Sequence, residues 1–287
     1  MKKILIHLEA DAQASVFDQI TAYDSGVDNI LAYSRVQPQE VRPLVHGAIF
    51  TRGGDDLKNT AVFIGGTEVA AAEQLMKEAQ AAFFGDMRVS VMFDANGSNT
   101  TAAAMVRKIA AGRELRGQKA LVLAGTGPVG IRAAVLLAKE GCEVLLSSRR
   151  LERAGEVCER IAANYGCQVT PAEIAGERDL RQLLAGGVTI AACCGAAGVQ
   201  LLPENVLAEA TELKIVADIN AVPPLGAATM KVGDNGKDRG GKICYGAIAI
   251  GNLKMKIHHR AVANLFTANH LVYDFEEIYA LAKEFEA

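Results

Sequence analysis

The stretch AGTGPVG, residues 124–130, sets Gly125, Gly127 and Gly130 in the pattern G-x-G-x-x-G. Glycines at that spacing serve a phosphate group: the first permits a sharp turn, the second lets the main chain approach an anion, and the third lets a helix pack close to the preceding strand. A helix opened by Pro128 and Val129 turns its N–H groups and positive dipole end toward the same point, and Thr126 adds a hydroxyl donor. Context gives the short pattern its weight, because KALVLAG (119–125) reads as a strand, PVGIRAAVLLAKEG (128–141) as a helix and CEVLLSS (142–148) as the next strand. An NAD site then expects Asp or Glu about 20 residues beyond the glycines, to accept hydrogen bonds from the ribose. This chain carries Ser148, Arg149 and Arg150 there. Guanidinium groups grip a phosphate dianion through paired N–H donors and stack on aromatic bases. The sequence therefore predicts NADP as the cofactor, with NAD use left open.

Three other polar stretches can do chemistry. In FDANGSNTTAAA (93–104), Asp94, Asn96, Ser98, Asn99 and Thr100 leave a strand and open a helix. They either cap that helix or read the amide-like edge of a ring substrate, Asp94 offsetting positive charge that develops there. In VADINAVPPLG (216–226), Asp218 and Asn220 stand at the end of a strand, where open parallel sheets bind ligands. They either line the cofactor site or hold a corner stiffened by Pro223 and Pro224. In GNLKMKIHHR (251–260), Lys254 and Lys256 share a face if the strand continues and diverge by about 200° if a helix begins. His258 and His259 are adjacent, not a turn apart, and the six cysteines show no C-x-x-C spacing, so no metal site is expected.

The elements that must position these groups alternate strand and helix. After residue 119 the strands 119–125, 142–148, 167–173, 188–194, 213–220 and 244–251 predict a doubly wound parallel sheet of Rossmann type. The first half predicts a second α/β domain, with strands at 3–9, 46–52, 61–66 and 89–95 and helices near 15–24 and 67–83. Gly65–Gly66 reads as a tight strand-to-helix turn. A basic, glycine-punctuated segment, 107–119, places the boundary near 110, giving domains 1–110 and 111–287. The glycine-rich 230–242 reads as a surface loop or flap. Apolar Phe275, Ile278, Leu281 and Phe285 make 273–287 an amphipathic helix that can return to the first domain.

Half of the 287 residues are hydrophobic, enough for two buried cores, and the net charge of −3 leaves no basic surface for nucleic acid. The N-terminus has no signal-peptide pattern and no stretch is apolar enough to span a bilayer, so a cytoplasmic protein with no membrane partner is expected.

TRGG (51–54), FDANGSNTTAAA, AGTGPVG, VADINAVPPLG and GAIAIGNLKMKIHHR (246–260) together resemble the bacterial NAD(P)-dependent methylene-tetrahydromethanopterin and methylene-tetrahydrofolate dehydrogenases. The resemblance runs over nearly the whole chain, from VFDQITAYDSG (16–26) onward. It implies a homo-oligomer, a trimer, whose two domains form a cleft for a reduced pterin. It maps an active-site lysine onto Lys254, which would orient the substrate or polarise its N–C–N unit. It also favours the substrate-binding reading of residues 94–100. Oxidation of a methylene bridge between two nitrogens needs only hydride loss, since the cation delocalises over N–C–N, and this suits a chain without a nucleophile–base constellation. The rival readings are a folate-linked methylene dehydrogenase, a two-domain oxidoreductase of the shikimate-dehydrogenase type, and a non-catalytic NADP sensor.

Overall fold

Strand-length β-branched and aliphatic runs, each followed by an amphipathic stretch, build two parallel sheets in the computed structural model, which describes residues 1–286. The chain divides into two units: Met1–Thr100 with Met255–Leu281, and Thr101–Lys254 with the residues from Ala282.

The first unit runs β1 (Ile4–Glu9), α1 (Val16–Asp24), β2 (Asn29–Tyr33), α2 (Pro38–Phe50), β3 (Thr60–Gly65), α3 (Val69–Ala81), β4 (Ser90–Phe93) and the start of α4 (Ser98–Ile109). The second follows with β5 (Lys119–Leu123), α5 (Pro128–Lys139), β6 (Glu143–Ser148), α6 (Leu151–Tyr165), β7 (Thr170–Glu173), α7 (Glu177–Leu184), β8 (Ile190–Cys193), α8 (Glu204–Glu209), β9 (Ile215–Asp218), β10 (Asn235–Asp238) and β11 (Ile243–Tyr245). Helix α9 (Ala247–Asn264) leads the chain back to the first unit, where β12 (Val272–Tyr273) and α10 (Phe275–Ala282) finish it.

The first sheet has the order β12-β4-β3-β1-β2, all parallel. Sequence order reverses between β1 and β3, which makes their carboxyl ends the topological switch point. Leu8, Val41, Val45, Ile49, Val62, Ile64 and Leu75 belong to its core. The second sheet has the order β10-β11-β9-β8-β5-β6-β7, and only β10 runs antiparallel. Without β10, its strands follow the doubly wound dinucleotide-binding order, with the switch point between β5 and β8. This is the expected α/β fold class.

Several expectations are corrected. Residues 46–52 do not form a strand but end α2: Pro38 at the helix start, a reciprocal Gln37–Glu40 capping box, and buried Val41, Val45, Ala48 and Ile49 at helical spacing outweigh the local β-branched run. The strand expected over 244–251 stops at Tyr245. Gly246 donates its N–H to the Asp234 carbonyl at 2.8 Å, and Ile248 donates to Val232 at 2.8 Å, turning the chain into α9. Residues 230–242 are not a flap, because β10 pairs with β11 and Asp234 takes a charge-assisted bond from Arg239 at 2.6 Å. The Arg239 guanidinium holds the Asp234 carboxyl below its ordinary range. The division between the two units lies inside α4 and α9. Strands β2 and β12 and helices α7 and α8 were not anticipated; β2 is a largely exposed edge strand without the alternation of a buried one.

Candidate functional site

In the second unit the glycine turn does what its spacing predicts. A Cβ on Gly125 would sit 2.7 Å from the Leu146 side chain and 3.0 Å from the Val122 carbonyl, and one on Gly130 would sit 2.6 Å from the Gly125 main chain. Both positions are closed to any side chain by strand–helix packing. Gly127 differs: its Cβ would meet nothing nearer than the Ala124 carbonyl at 3.9 Å, and Gly127 caps α5 with Pro128 at the first helical position. The open space lies at the N-terminal end of α5, where a helix leaves its first N–H groups without partners. Ala124, at the head of the turn, adopts left-handed backbone with φ 53°, which costs an alanine about 1–3 kcal/mol.

Beside this turn a cavity of about 560 Å³ is lined by Ala124, Thr126, Ser148, Arg149, Arg150 and Arg153. Arg149 and Arg150 extend from the end of β6, and Arg153 adds a third guanidinium from the first turn of α6. All three are exposed, so the cavity presents charged donors that retain their solvation until an anion arrives. A second cavity of about 330 Å³ shares Ala124, Ser148 and Arg149 and is otherwise largely apolar, with Leu123, Ile174, Val199 and Leu201 in its wall. A polar, cationic cavity joined to an apolar one at the carboxyl ends of β5, β6, β7 and β8 has the chemistry for a phosphorylated ribose and a flat base. The residues present therefore fit a dinucleotide, and they fit one with an extra phosphate. Arg153 escaped sequence reading, although its place three residues after Arg150 on a helix is the signal that reveals it.

Asp218 and Asn220 are buried and point inward. The Asp218 carboxylate accepts from the main-chain N–H of Asn220 at 3.0 Å and of Ala227 at 3.3 Å. Burial raises its pKa, and the N–H groups of Asn220, Ala227 and Gly226 oppose the rise. Asn220 accepts from Gly198 and Val222 and donates to the Pro224 carbonyl. Their side chains staple the loop after β9 at the carboxyl end of that strand.

In the first unit, Asp94, Ser98, Asn99 and Thr100 are each at most 1% exposed. Asp94 accepts from the Asn99 and Thr100 N–H groups at 2.9 and 3.0 Å and from the Thr100 hydroxyl at 2.6 Å. Ser98 donates to the Ala95 carbonyl at 2.7 Å. Asn99 donates to the Phe93 carbonyl at 2.6 Å and to Asp274 at 2.8 Å. These side chains knit β4 to α4, which is the packing the helix-capping alternative expects. Asn96 is the exposed member, with φ 53°, raised on a short turn ahead of α4.

Helix α9 carries Lys254 and Lys256, and because a helix forms there the two diverge. Lys254 is half-buried and Lys256 exposed. His258, one turn after Lys254, is fully buried, stacks on Phe63 with ring centroids 5.8 Å apart, and has its Nδ1 3.6 Å from Asp94. His259 pairs with the Ser25 hydroxyl at 3.0 Å. One further cluster was passed over: His7 and Glu9 on β1 with Asp18 on α1, whose donor atoms lie within 4.8 Å of one another. The signal was H-x-E in a strand, which puts both side chains on one face.

Comparison with known proteins adds kinship to this geometry. Residues 16–96 match the profile described as "Methylene-tetrahydromethanopterin dehydrogenase, N-terminal". The chain is 45% identical over 285 residues to the "Bifunctional protein MdtA" of Methylorubrum extorquens, covering 99% of each. It is 30% identical over 295 residues to the "NAD(P)-dependent methylenetetrahydromethanopterin dehydrogenase" of the same organism, again covering 99% of each. Among solved structures, the shikimate 5-dehydrogenase of Listeria monocytogenes in complex with shikimate and NAD superposes with a TM-score of 0.55 at 16% identity, covering 98% of this chain and 96% of that one. The quinate dehydrogenase of Corynebacterium glutamicum in complex with NAD gives a TM-score of 0.52 at 12% identity, covering 99% and 100%. These two share the fold.

Proposed function

The chain belongs to the methylene-tetrahydromethanopterin dehydrogenase family, and from that footing we propose that it oxidises methylene-tetrahydromethanopterin to the methenyl form by hydride transfer to NADP. The whole-length likeness to a relative named for an NAD(P)-dependent activity of this kind carries the reading. Bound NADP supplies the hydride acceptor. The methylene carbon gives up one hydrogen with both bonding electrons, and the cation left behind is shared by the two flanking nitrogens. No proton moves, so no general base is required; what the protein contributes is orientation and electrostatics.

Each residue then has a task. The N–H groups of α5, with Thr126, hold the pyrophosphate. Arg149, Arg150 and Arg153 hold the 2′-phosphate, and the adjoining apolar cavity takes the adenine. Lys254, by its family position, orients the pterin. Asp94 and its hydrogen-bonded neighbours keep the segment that bears Asn96 in shape. The enzyme works in the cytoplasm as a homo-oligomer, a trimer by family resemblance. Supporting self-association, α1 exposes Val16, Phe17, Ile20 and Tyr23, and the neighbouring edge strand β2 exposes Leu31 and Tyr33. Among the described residues no helix is long and apolar enough to cross a membrane.

The test is a steady-state comparison of methylene-tetrahydromethanopterin and methylene-tetrahydrofolate, each with NADP and with NAD. Reduction of NADP by the methanopterin substrate is expected. Tight NADPH binding with no turnover of either pterin would replace this reading with that of a sensor.

A further inference from the structure

The carboxyl ends of β1 and β3 form the switch point of the first sheet, and Glu9, the last residue of β1, is paired there with Gly65, the last residue of β3. His7 and Glu9 project from one face of β1, each 1% exposed, and the half-buried Asp18 meets them from the first turn of α1. His7 Nε2 lies 3.4 Å from Glu9 Oε2 without the geometry of a hydrogen bond, and this buried nitrogen has no hydrogen-bond partner. The same Glu9 oxygen accepts from the Ser15 N–H at 3.3 Å. The strand-end glycines make room for the cluster: a Cβ on Gly65 would stand 3.0 Å from Glu9 and 3.2 Å from His7, and one on Gly66 would stand 3.1 Å from Glu9. Gly65–Gly66 is thus more than a tight turn; it is the clearance for a buried acid–imidazole pair.

Two carboxylates and an unsatisfied imidazole nitrogen converging at a sheet's switch point favour a ligand edge rich in N–H donors. A pterin has such an edge, where the ring N–H and the exocyclic amine of the pyrimidinone lie side by side at the spacing of the two carboxylate oxygens. Resting on the function proposed above, we infer that Asp18 binds that edge of the substrate, and that Glu9 and His7 stand behind Asp18 and fix its carboxylate. Asp18 is the accessible member and the one that touches the ring. Glu9 and His7 are positioning residues. Residues 94–100, whose side chains are mostly occupied inside the fold, are relieved of this role.

The experiment is steady-state kinetics of the full-length Asp18→Asn and Asp18→Glu variants, with NADPH affinity measured separately by fluorescence. Replacing one carboxylate oxygen by an NH₂ turns an acceptor into a donor facing donors. Asp18→Asn should raise KM for the methylene pterin at least tenfold with kcat changed much less, leave NADPH affinity and melting temperature near wild type, and be partly rescued by Asp18→Glu. Glu9→Gln should move KM in the same direction; if that buried variant fails to fold, Asp18→Asn alone decides. An unchanged KM in Asp18→Asn, with the wild type active, overturns the inference while leaving the proposed function standing. An inactive wild type overturns the function instead. Binding of Zn²⁺ or Mn²⁺ by the chelator-stripped wild type, followed by calorimetry and abolished in Asp18→Asn, overturns the inference in favour of a cation site.

Discussion

Three guanidinium groups line one cavity, and the proposal that they hold a 2′-phosphate can be tested residue by residue. Arg149→Asp should weaken NADP binding at least tenfold, about 1.4 kcal/mol, while sparing NAD, because it sets a carboxylate against the 2′-phosphate. Arg153→Glu should act in the same sense; equal losses with both cofactors in titrations would count against the assignment. The three glycines of the turn should separate cleanly. Gly130→Ala meets main chain at 2.6 Å and should lower the melting temperature of the protein. Gly127→Ala has room and should fold normally yet lose about tenfold in dinucleotide affinity, since the added methyl occupies the space the phosphate needs. At this scale the sequence was most legible where chemistry and local geometry coincide, as in the turn and at Arg149 and Arg150. It was least legible where polar side chains face inward. Asp94, Asp218 and Asn220 have the composition of a binding site, and their hydrogen-bond partners, most of them within nine residues along the chain, leave no mark on residue type.

For the elements, local signals succeeded for most strands bounded by turn residues and failed where tertiary contacts chose between alternatives. The 46–52 run is β-branched enough for a strand, but a capping box nine residues upstream and a buried stripe at helical spacing decided for α2. The segment after Tyr245 became a helix because main-chain bonds to 232 and 234 redirect it, a contact that no window around 246 contains. Helix α4 owes its start to one carboxylate. Asp94→Ala removes an acceptor for two N–H groups and a hydroxyl and should destabilise the protein by about 1–2 kcal/mol in urea unfolding, with NADPH affinity unaltered.

Across the molecule, burial holds three thiols in their protonated form. Burial pushes Cys142, Cys158 and Cys244 up to about 11, so at pH 8 only about one in a thousand of each is thiolate. Alkylation at these positions should be slow in the native protein at pH 8, rise as pH climbs toward 11, and become fast at pH 8 once the chain is unfolded; mass spectrometry after timed labelling reads all three. The proposed self-association through the exposed apolar residues of α1 and β2 predicts that Ile20→Glu with Tyr23→Glu shifts the sedimentation profile to a monomer. The discontinuous first unit has a consequence for biosynthesis. Residues up to 100 leave the ribosome first, yet the strand that covers β4 and the helices that complete that unit lie between 255 and 281. The part translated earliest is therefore finished last, and a nascent chain must carry an open β4 edge through synthesis of the entire nucleotide-binding unit.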